Sequence, residues 1–176
     1  MIDKLLRLCV KNINPNPYLV KLLGVNIGHR CRFSKNVCFG SEPYLITIGD
    51  DFFCSTSVNF ITHDGSISVI RKKLLNGKRY DLISPILIGN NVFLGFDTTI
   101  LRGSVIGDNT IVGAKSLVMG ILEPNSVYAG IPARKICSIE ELYEKNKNQM
   151  IEISDNYIIN KKSILKSMFS ERNDDA

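Results

Sequence analysis

The stretch Ile86–Val118, ILIGNNVFLGFDTTILRGSVIGDNTIVGAKSLV, decides the fold because an aliphatic residue recurs at every sixth position. Together with Leu82, which lies six positions before Ile88, the series is Leu82, Ile88, Leu94, Ile100, Ile106, Val112 and Val118. A period of six fits neither the 3.6-residue period of an α-helix nor the two-residue period of a plain sheet. Short strands that change direction after every six residues do fit it.

The same period occurs earlier in two shorter runs, Ile27–Phe39 and Ile48–Phe60, which are offset from each other by three residues. The offset predicts a bulge within Ser41–Leu45. The fourth residue after the aliphatic one is small or β-branched in most repeats. It is Cys31, Val37, Val58, Val92, Thr98, Thr110 or Ser116. Such residues suit a second inward-facing side chain beside a turn.

Three six-residue strands close a coil of about 18 residues, and stacked coils bury a continuous aliphatic column. The corner sequences IGDD, IGNN and IGDN contain glycine, aspartate and asparagine, which tolerate a positive φ. The pattern therefore predicts an all-β solenoid, a parallel β-helix. It does not fix the handedness, for which the general rule favours right-handed crossovers.

Composition narrows the class of protein. The chain has 176 residues, 44% of them hydrophobic and 22% charged, which is ordinary for one globular domain. A net charge of +5 without alternating basic and aromatic residues does not favour nucleic-acid binding. Five cysteines without a CxxC pair predict reduced thiols, with neither disulfides nor a zinc site. We expect a cytoplasmic protein, because no apolar run reaches the roughly 18 to 20 residues of a membrane span and no secretion signal is evident.

The six-residue period breaks between Phe60 and Leu82, which predicts an excursion loop over residues 64–82. His63 lies at its base and is one of only two histidines, the other being His29, which is predicted to be a surface residue. An imidazole here can accept a proton near neutral pH; the alternative is a corner histidine bonded to backbone. A three-histidine zinc site of the carbonic anhydrase type is excluded by the count.

Ser84–Ile136, which ends in AGIPARKI, resembles the C-terminal half of the hexapeptide-repeat acyltransferases. It is most similar to the maltose and galactoside O-acetyltransferases and their capsule or lipopolysaccharide relatives, and the likeness extends over Val25–Ile136. The resemblance implies a left-handed parallel β-helix, an exception to the crossover rule. It also implies transfer of acetyl from acetyl-CoA to a hydroxyl of a sugar or surface polysaccharide, by a homotrimer whose active sites lie between subunits.

The resemblance also suggests catalytic residues. In those enzymes a histidine in a T-x-H-P-like context is the general base, and THDG occupies that place here, so His63 is the candidate. The HDG form favours polysaccharide-type relatives. Asp64 is a second catalytic candidate that either orients the imidazole or caps the turn. Glu42 is counted with the substrate-binding candidates, since it could approach His63 from the next coil or from a neighbouring subunit.

The family threads the pantetheine arm of acetyl-CoA along the coils, and six positions of this chain match or adjoin the contacts. They are Gly95, Phe96, Ala114, Lys115, Arg134 and Lys135. The first and third are small enough for close approach, and Arg134 with Lys135 suits a phosphate. The Thr-Lys pair that is usual in the family is absent here, because Met119 and Gly120 stand in its place. Lys115 could supply the missing contact instead. The alternative interpretation is that the small residues among these six are ordinary corner residues and that the basic ones are solvated cations.

The excursion carries further cations, among them Arg71, Lys72 and Lys73, which are either solvated or receive an anionic acceptor. The domain prediction is an N-terminal helical cap over residues 1–24, an acyltransferase domain over residues 25–136, and a C-terminal helical extension over residues 137–176. A capping box at Ser138 and Glu141 starts the extension. Three other functions stay open: N-acetylation of an amino sugar, acetylation of a xenobiotic, and a non-catalytic scaffold.

Overall fold

The computed structural model describes residues 14–76 and 78–170. The chain divides into two units, Met1–Leu142 and Tyr143–Ala176, and every strand lies in the first. The predicted N-terminal cap lies partly outside the described residues. Its described part contains helix α1 (Pro17–Leu22), which starts at Asn16, whose side chain accepts a hydrogen bond from the backbone N–H of Leu19.

The strands form three sheets. The first contains β1 (Asn26–Ile27), β3 (Ile46–Ile48), β6 (Ile86–Ile88), β9 (Val105–Ile106) and β12 (Ile121–Leu122). The second contains β2 (Arg32–Phe33), β4 (Phe53–Cys54), β7 (Phe93–Leu94), β10 (Ile111–Val112), β13 (Ser126–Ala129) and β14 (Arg134–Ser138). The third contains β5 (Asn59–Ile61), β8 (Thr99–Leu101) and β11 (Leu117–Val118). All pairs are parallel except β13 with β14.

In the parallel pairs, the two strands are two or three places apart in chain order. In the regular part the partners are 18 residues apart, as for Phe93 and Ile111, which is the spacing predicted for three six-residue strands. The spacing is 21 residues between Arg32 and Phe53, because the predicted bulge adds three residues. It is 40 residues between Phe53 and Phe93, where the excursion intervenes. The excursion and the bulge therefore leave the stacking of the strands intact.

The aliphatic column is the core. Its members from Ile88 to Val118 are buried, and so are the small or β-branched residues at the fourth position, as predicted. Leu82 is the exception and is only half-buried, because it belongs to the base of the excursion, where its carbonyl accepts a hydrogen bond from the N–H of Asp64. Burial of these side chains is the main favourable contribution to folding.

The corners confirm the prediction for aspartate and asparagine. In the three corner sequences, positive φ occurs at Asp51, Asn91 and Asn109, and not at the glycines that follow the aliphatic column. Those glycines serve a different purpose, since the next coil passes directly against them. A Cβ on Gly89 would collide with the carboxylate of Asp108. Asparagine and aspartate provide the turn, and glycine provides the close approach.

The bulge and the excursion both contain helical turns. A 3₁₀ helix, Pro43–Leu45, occupies the bulge. The excursion was predicted as a loop, which is wrong for its centre, where helix α2 (Ile67–Leu74) forms. Its base is closed by antiparallel pairing of His63 with Ile83 and by a hydrogen bond from the N–H of Ser84 to the carbonyl of Thr62.

The C-terminal extension begins with α3 (Ile139–Asn146), a 3₁₀ helix (Lys147–Gln149) and α4 (Asp155–Ser170). The predicted capping box is confirmed, since the N–H of Glu141 donates to Ser138 Oγ and the N–H of Ser138 donates to Glu141 Oε2. Residues 171–176 of the predicted extension lie outside the described residues. In the described part of the chain, no helix has the length and apolar character of a membrane span.

Candidate active site

His63 lies just beyond β5, where the excursion leaves the coil, and half of its side chain is exposed. Its Nδ1 lies 3.2 Å from Glu42 Oε2 and 3.0 Å from Ser41 Oγ. Both partners belong to the bulge one coil earlier in the same chain. Of the two predicted routes for Glu42 to reach His63, the structure shows the one within the chain.

Thr62 fixes the carboxylate of Glu42. Its side chain is fully buried, and its hydroxyl donates a hydrogen bond of 2.6 Å to Glu42 Oε2. This bond, followed by those from Ser41 and His63, lowers the pKa of Glu42 more than burial raises it. An ionised carboxylate accepts hydrogen bonds only, so it favours the imidazole tautomer with its proton on Nδ1. The basic lone pair then belongs to Nε2.

Gly40 allows the bulge to approach His63. It has a φ of +65°, and a Cβ there would lie 2.9 Å from the carbonyl oxygen of Phe60 in β5. The ring of Phe39 stacks on that of Phe60, with centroids 5.3 Å apart. Backbone contact and ring stacking together place the next two residues of the bulge beside the imidazole.

The contacts of Asp64 in the described structure are with Ser66 and Arg102, and not with the imidazole of His63. Its Oδ1 accepts a hydrogen bond from the N–H of Ser66, and its Oδ2 lies 3.7 Å from Arg102 Nε. These contacts, with Ser66 first, lower the pKa of Asp64. Of the two predicted roles, capping of the turn is the one that the contacts show.

A cavity of about 630 Å³ adjoins His63 at the ends of β5 and β8. Its polar side chains include His63, Asp64 and Arg102, and Ile61 and Met119 contribute apolar surface. Arg102 was not predicted from the sequence, although Thr62 and Gly120 stand at the matching positions after β5 and β11, so that a cation between them was a usable signal. The contacts of Ser41 and Thr62 could not be predicted, because they depend on the path of the bulge.

A second cavity of about 320 Å³ lies at the beginnings of β8 and β11, so the two cavities border the same sheet. Lys115 lines it and forms an ion pair of 3.0 Å with Asp97. The Lys115 ammonium also lies over the ring of Phe96, 5.6 Å from its centroid. A Cβ on Gly95 would lie 2.5 Å from the backbone nitrogen of Ala114, so packing alone requires glycine here.

The remaining predicted cations lie elsewhere. Arg134 and Lys135 are exposed on β14, and Lys135 lies 3.5 Å from Glu123 Oε2. Neither is among the described residues that line the two cavities. Lys72 and Lys73 are exposed in the last turn of α2. Arg71 is half-buried and donates a hydrogen bond to the carbonyl of Tyr80.

No metal centre emerges from the described residues. Within residues 14–76 and 78–170, no group of three or more histidine, cysteine, aspartate or glutamate side chains could hold a metal ion. The four described cysteines are free thiols, as predicted. Burial raises the pKa of the Cys54 thiol to about 12, so it behaves as an apolar core residue.

Comparison with known proteins agrees with this architecture. Residues 85–120 match the family described as bacterial transferase hexapeptide (six repeats). The chain is 39% identical over 137 residues to Protein CapG of Staphylococcus aureus, and the alignment covers 77% of each protein. The chain belongs to the hexapeptide-repeat transferase family. It is an acyltransferase, as are the relatives of this family that carry an assigned activity.

Two further members of the hexapeptide-repeat transferase family are informative. The putative lipopolysaccharide biosynthesis O-acetyl transferase WbbJ of Escherichia coli (strain K12) is 45% identical over 114 residues, which are 59% of this chain and 58% of that protein. A solved structure of galactoside acetyltransferase in complex with coenzyme A superposes with a TM-score of 0.58 at 25% identity. That superposition covers 88% of this chain and 84% of the other.

Proposed function

We propose that the protein transfers acetyl from acetyl-CoA to a hydroxyl of a sugar or surface polysaccharide, with His63 as the general base. The observation that carries the proposal is the contact between His63 Nδ1 and Glu42, which leaves Nε2 as the basic nitrogen beside a large cavity. The names of the relatives support the acyl donor and the class of acceptor. Left-handed coiling of the three sheets, the rule in the resembling enzymes, belongs to the same proposal.

The reaction requires one proton to move twice. A sugar hydroxyl bound in the cavity gives its proton to His63 Nε2 as its oxygen bonds to the acetyl carbonyl carbon. The carbon–sulfur bond of the thioester then breaks, and the leaving thiolate takes the proton from the imidazolium. Glu42 keeps the imidazole oriented and stabilises its positive charge. Thioesters are already activated, so no covalent enzyme intermediate is needed.

The third sheet offers a path for the acyl donor. The cavities at the two ends of β8 and β11 would receive the thioester end of acetyl-CoA beside His63 and its pantetheine arm beside Lys115 and Phe96. Gly95 and Ala114 lie at the corner that precedes these two strands and would keep the surface low there. Arg134 and Lys135 lie on exposed β14 and would meet phosphates at the far end.

The proposal extends to the organisation of the protein. We assign acyl transfer to residues 25–136, with residues 1–24 and 137–176 as flanking helical segments. A homotrimer with active sites between subunits follows from the resemblance to trimeric enzymes. The exposed Lys72 and Lys73, with Arg71, would attract an acceptor that carries negative charge elsewhere along its length.

His63→Ala tests the proposal most simply. We expect turnover to fall by about a hundredfold or more, because the hydroxyl loses its proton acceptor. Calorimetric titration should show that the variant still binds acetyl-CoA. His29→Ala is the matched control, since it removes the other histidine from an exposed corner and should leave turnover unchanged. Near-normal turnover of His63→Ala would end the assignment, and a wild-type protein that does not bind acetyl-CoA would favour a scaffold.

A further inference from the structure

We propose that Arg102 and Asp64 bind the acceptor by a hydroxyl group next to the one that is acetylated, and that the sugar ring in the cavity is uncharged. The inference rests on the proposed function and deepens it by naming the chemistry of the acceptor. Neither residue is needed for the proton transfer itself. Arg102 has so far no role, and the contacts of Asp64 do not orient the imidazole.

The fold brings the two side chains to the same wall of the cavity as His63. Ile61 at the end of β5 pairs with Leu101 at the end of β8, so the two strands end side by side. The chain after β5 continues through His63 to Asp64, and the chain after β8 turns at Arg102. All three side chains line the cavity of about 630 Å³. A ring bound beside the imidazole therefore meets both charged groups.

The two groups retain hydrogen-bonding capacity. Arg102 Nε and Asp64 Oδ2 are 3.7 Å apart, which is longer than an N–H···O hydrogen bond. Their side chains are 30% and 39% exposed. Asp64 Oδ1 is held by the N–H of Ser66, so the carboxylate is oriented and its Oδ2 can accept a further bond. The guanidinium supplies several donors in a fixed plane.

A donor beside an acceptor is complementary to a sugar hydroxyl, which both accepts and donates a hydrogen bond. Such a hydroxyl can accept from Arg102 and donate to Asp64 while its neighbour on the ring donates to His63 Nε2. Hydrogen bonds to charged partners are about twice as strong as neutral ones, so they can select and orient the ring.

The charges also argue against an acidic ring at this position. The positive charge of Arg102 is balanced by Asp64, whose pKa is lowered by Ser66 and Arg102, so it stays ionised. A carboxylate on the bound ring would face the carboxylate of Asp64 as well as the guanidinium, so the pair offers it no net attraction. Lys72 and Lys73 are not among the described residues that line the cavity. They can still attract negative charge on a more distant part of a long acceptor.

The first experiment uses methyl glycosides of glucose, galactose and mannose, their monodeoxy analogues and the matching methyl uronosides, with thiol release as the readout. We expect at least one neutral glycoside to be acetylated. Removing the hydroxyl next to the acetylated one should raise its KM by about 10- to 100-fold, because two charge-assisted bonds are lost. Faster turnover of the uronosides, or failure of every neutral glycoside to bind in calorimetry, would overturn the proposal.

The second experiment asks whether Arg102 reads that hydroxyl. In Arg102→Met, the KM for the parent glycoside should rise about tenfold or more, and the discrimination against the deoxy analogue should disappear. The KM for acetyl-CoA should not change. Arg30→Met is the control, since Arg30 also pairs with a corner aspartate, Asp51, but does not line the cavity. Discrimination that persists in Arg102→Met would refute the role of Arg102.

The third experiment tests the charge argument. Asp64→Asn keeps an oxygen that can accept the N–H of Ser66 but removes the negative charge. Acetylation of the uronosides relative to the neutral glycosides should therefore rise about tenfold or more, and an unchanged ratio would contradict the proposal. Failure of the inference is distinguishable from failure of the proposed function. If only the inference fails, acetyl-CoA binding and His63-dependent turnover are still observed. If the proposed function fails, neither is observed.

Discussion

At the scale of single residues, the candidate site depends on three side chains that hold one another. His63 contacts Glu42, and Glu42 contacts the buried hydroxyl of Thr62. The sequence pointed to His63 by its rarity and its place before the excursion. Thr62 could not be predicted, since its role depends on the path of a bulge twenty residues earlier. A threonine in a β-helix usually indicates no more than a core position.

Thr62→Val tests the role of Thr62 as a positioning residue. The change keeps the volume and removes the hydroxyl, so Glu42 loses the bond that fixes it. We expect kcat to fall by about tenfold, with little change in the KM for acetyl-CoA. Thr62→Ser keeps a hydroxyl and should restore most of kcat. Near-normal kcat in Thr62→Val would contradict the role of the hydroxyl, and a loss confined to Thr62→Ser would show that packing of the methyl group matters instead.

At the scale of elements, the six-residue period predicted the strands, and the structure differs where the period stops. Helix α2 lies in the segment that is predicted as a loop because the six-residue period breaks there. Its apolar residues Ile67, Ile70 and Leu74 do follow a helical spacing of three and four. A single pair of turns carries too weak a pattern to be separated from a loop by sequence alone.

The cations of α2 give a prediction for this element. Lys72→Glu with Lys73→Glu reverses two exposed charges without altering the base of the excursion. For an anionic polysaccharide acceptor, we expect KM to rise by several-fold, and the increase should shrink at high salt as screening weakens the attraction. An unchanged KM at low salt would show that these lysines are only solvated. Lys145→Glu with Lys147→Glu, outside the sheets, serves as the charge-matched control.

At the scale of the whole molecule, the aliphatic column determines the stability. The column could be predicted almost completely from the sequence, because every repeat requires an aliphatic side chain at the same inward-facing position. The handedness could not be predicted from the period, because left-handed and right-handed coiling would bury the same residues. The sequence pattern also does not show how subunits assemble, because exposed apolar residues on a sheet face do not identify the surface that covers them.

Ile100→Ala tests the column. Ile100 is fully buried in the centre of the stack, and its truncation should lower the free energy of unfolding by about 2 to 5 kcal/mol through lost burial and a residual cavity. Leu101→Ala changes the next residue, which faces outward and is half-buried, and should cost clearly less. Equilibrium denaturation in urea measures both variants. Equal losses would contradict the alternation of inward and outward side chains.

The most direct test of the central claim is the tautomer of His63, read from two-bond ¹⁵N–¹H correlations in the unliganded protein at alkaline pH. Glu42 should hold the proton on Nδ1, leaving Nε2 unprotonated, and Glu42→Gln should weaken that preference. The exposed His29 provides a reference signal in the same spectrum. An imidazole of His63 that carries its proton on Nε2 in the neutral form would contradict the account, because the nitrogen facing the substrate could not then accept a proton.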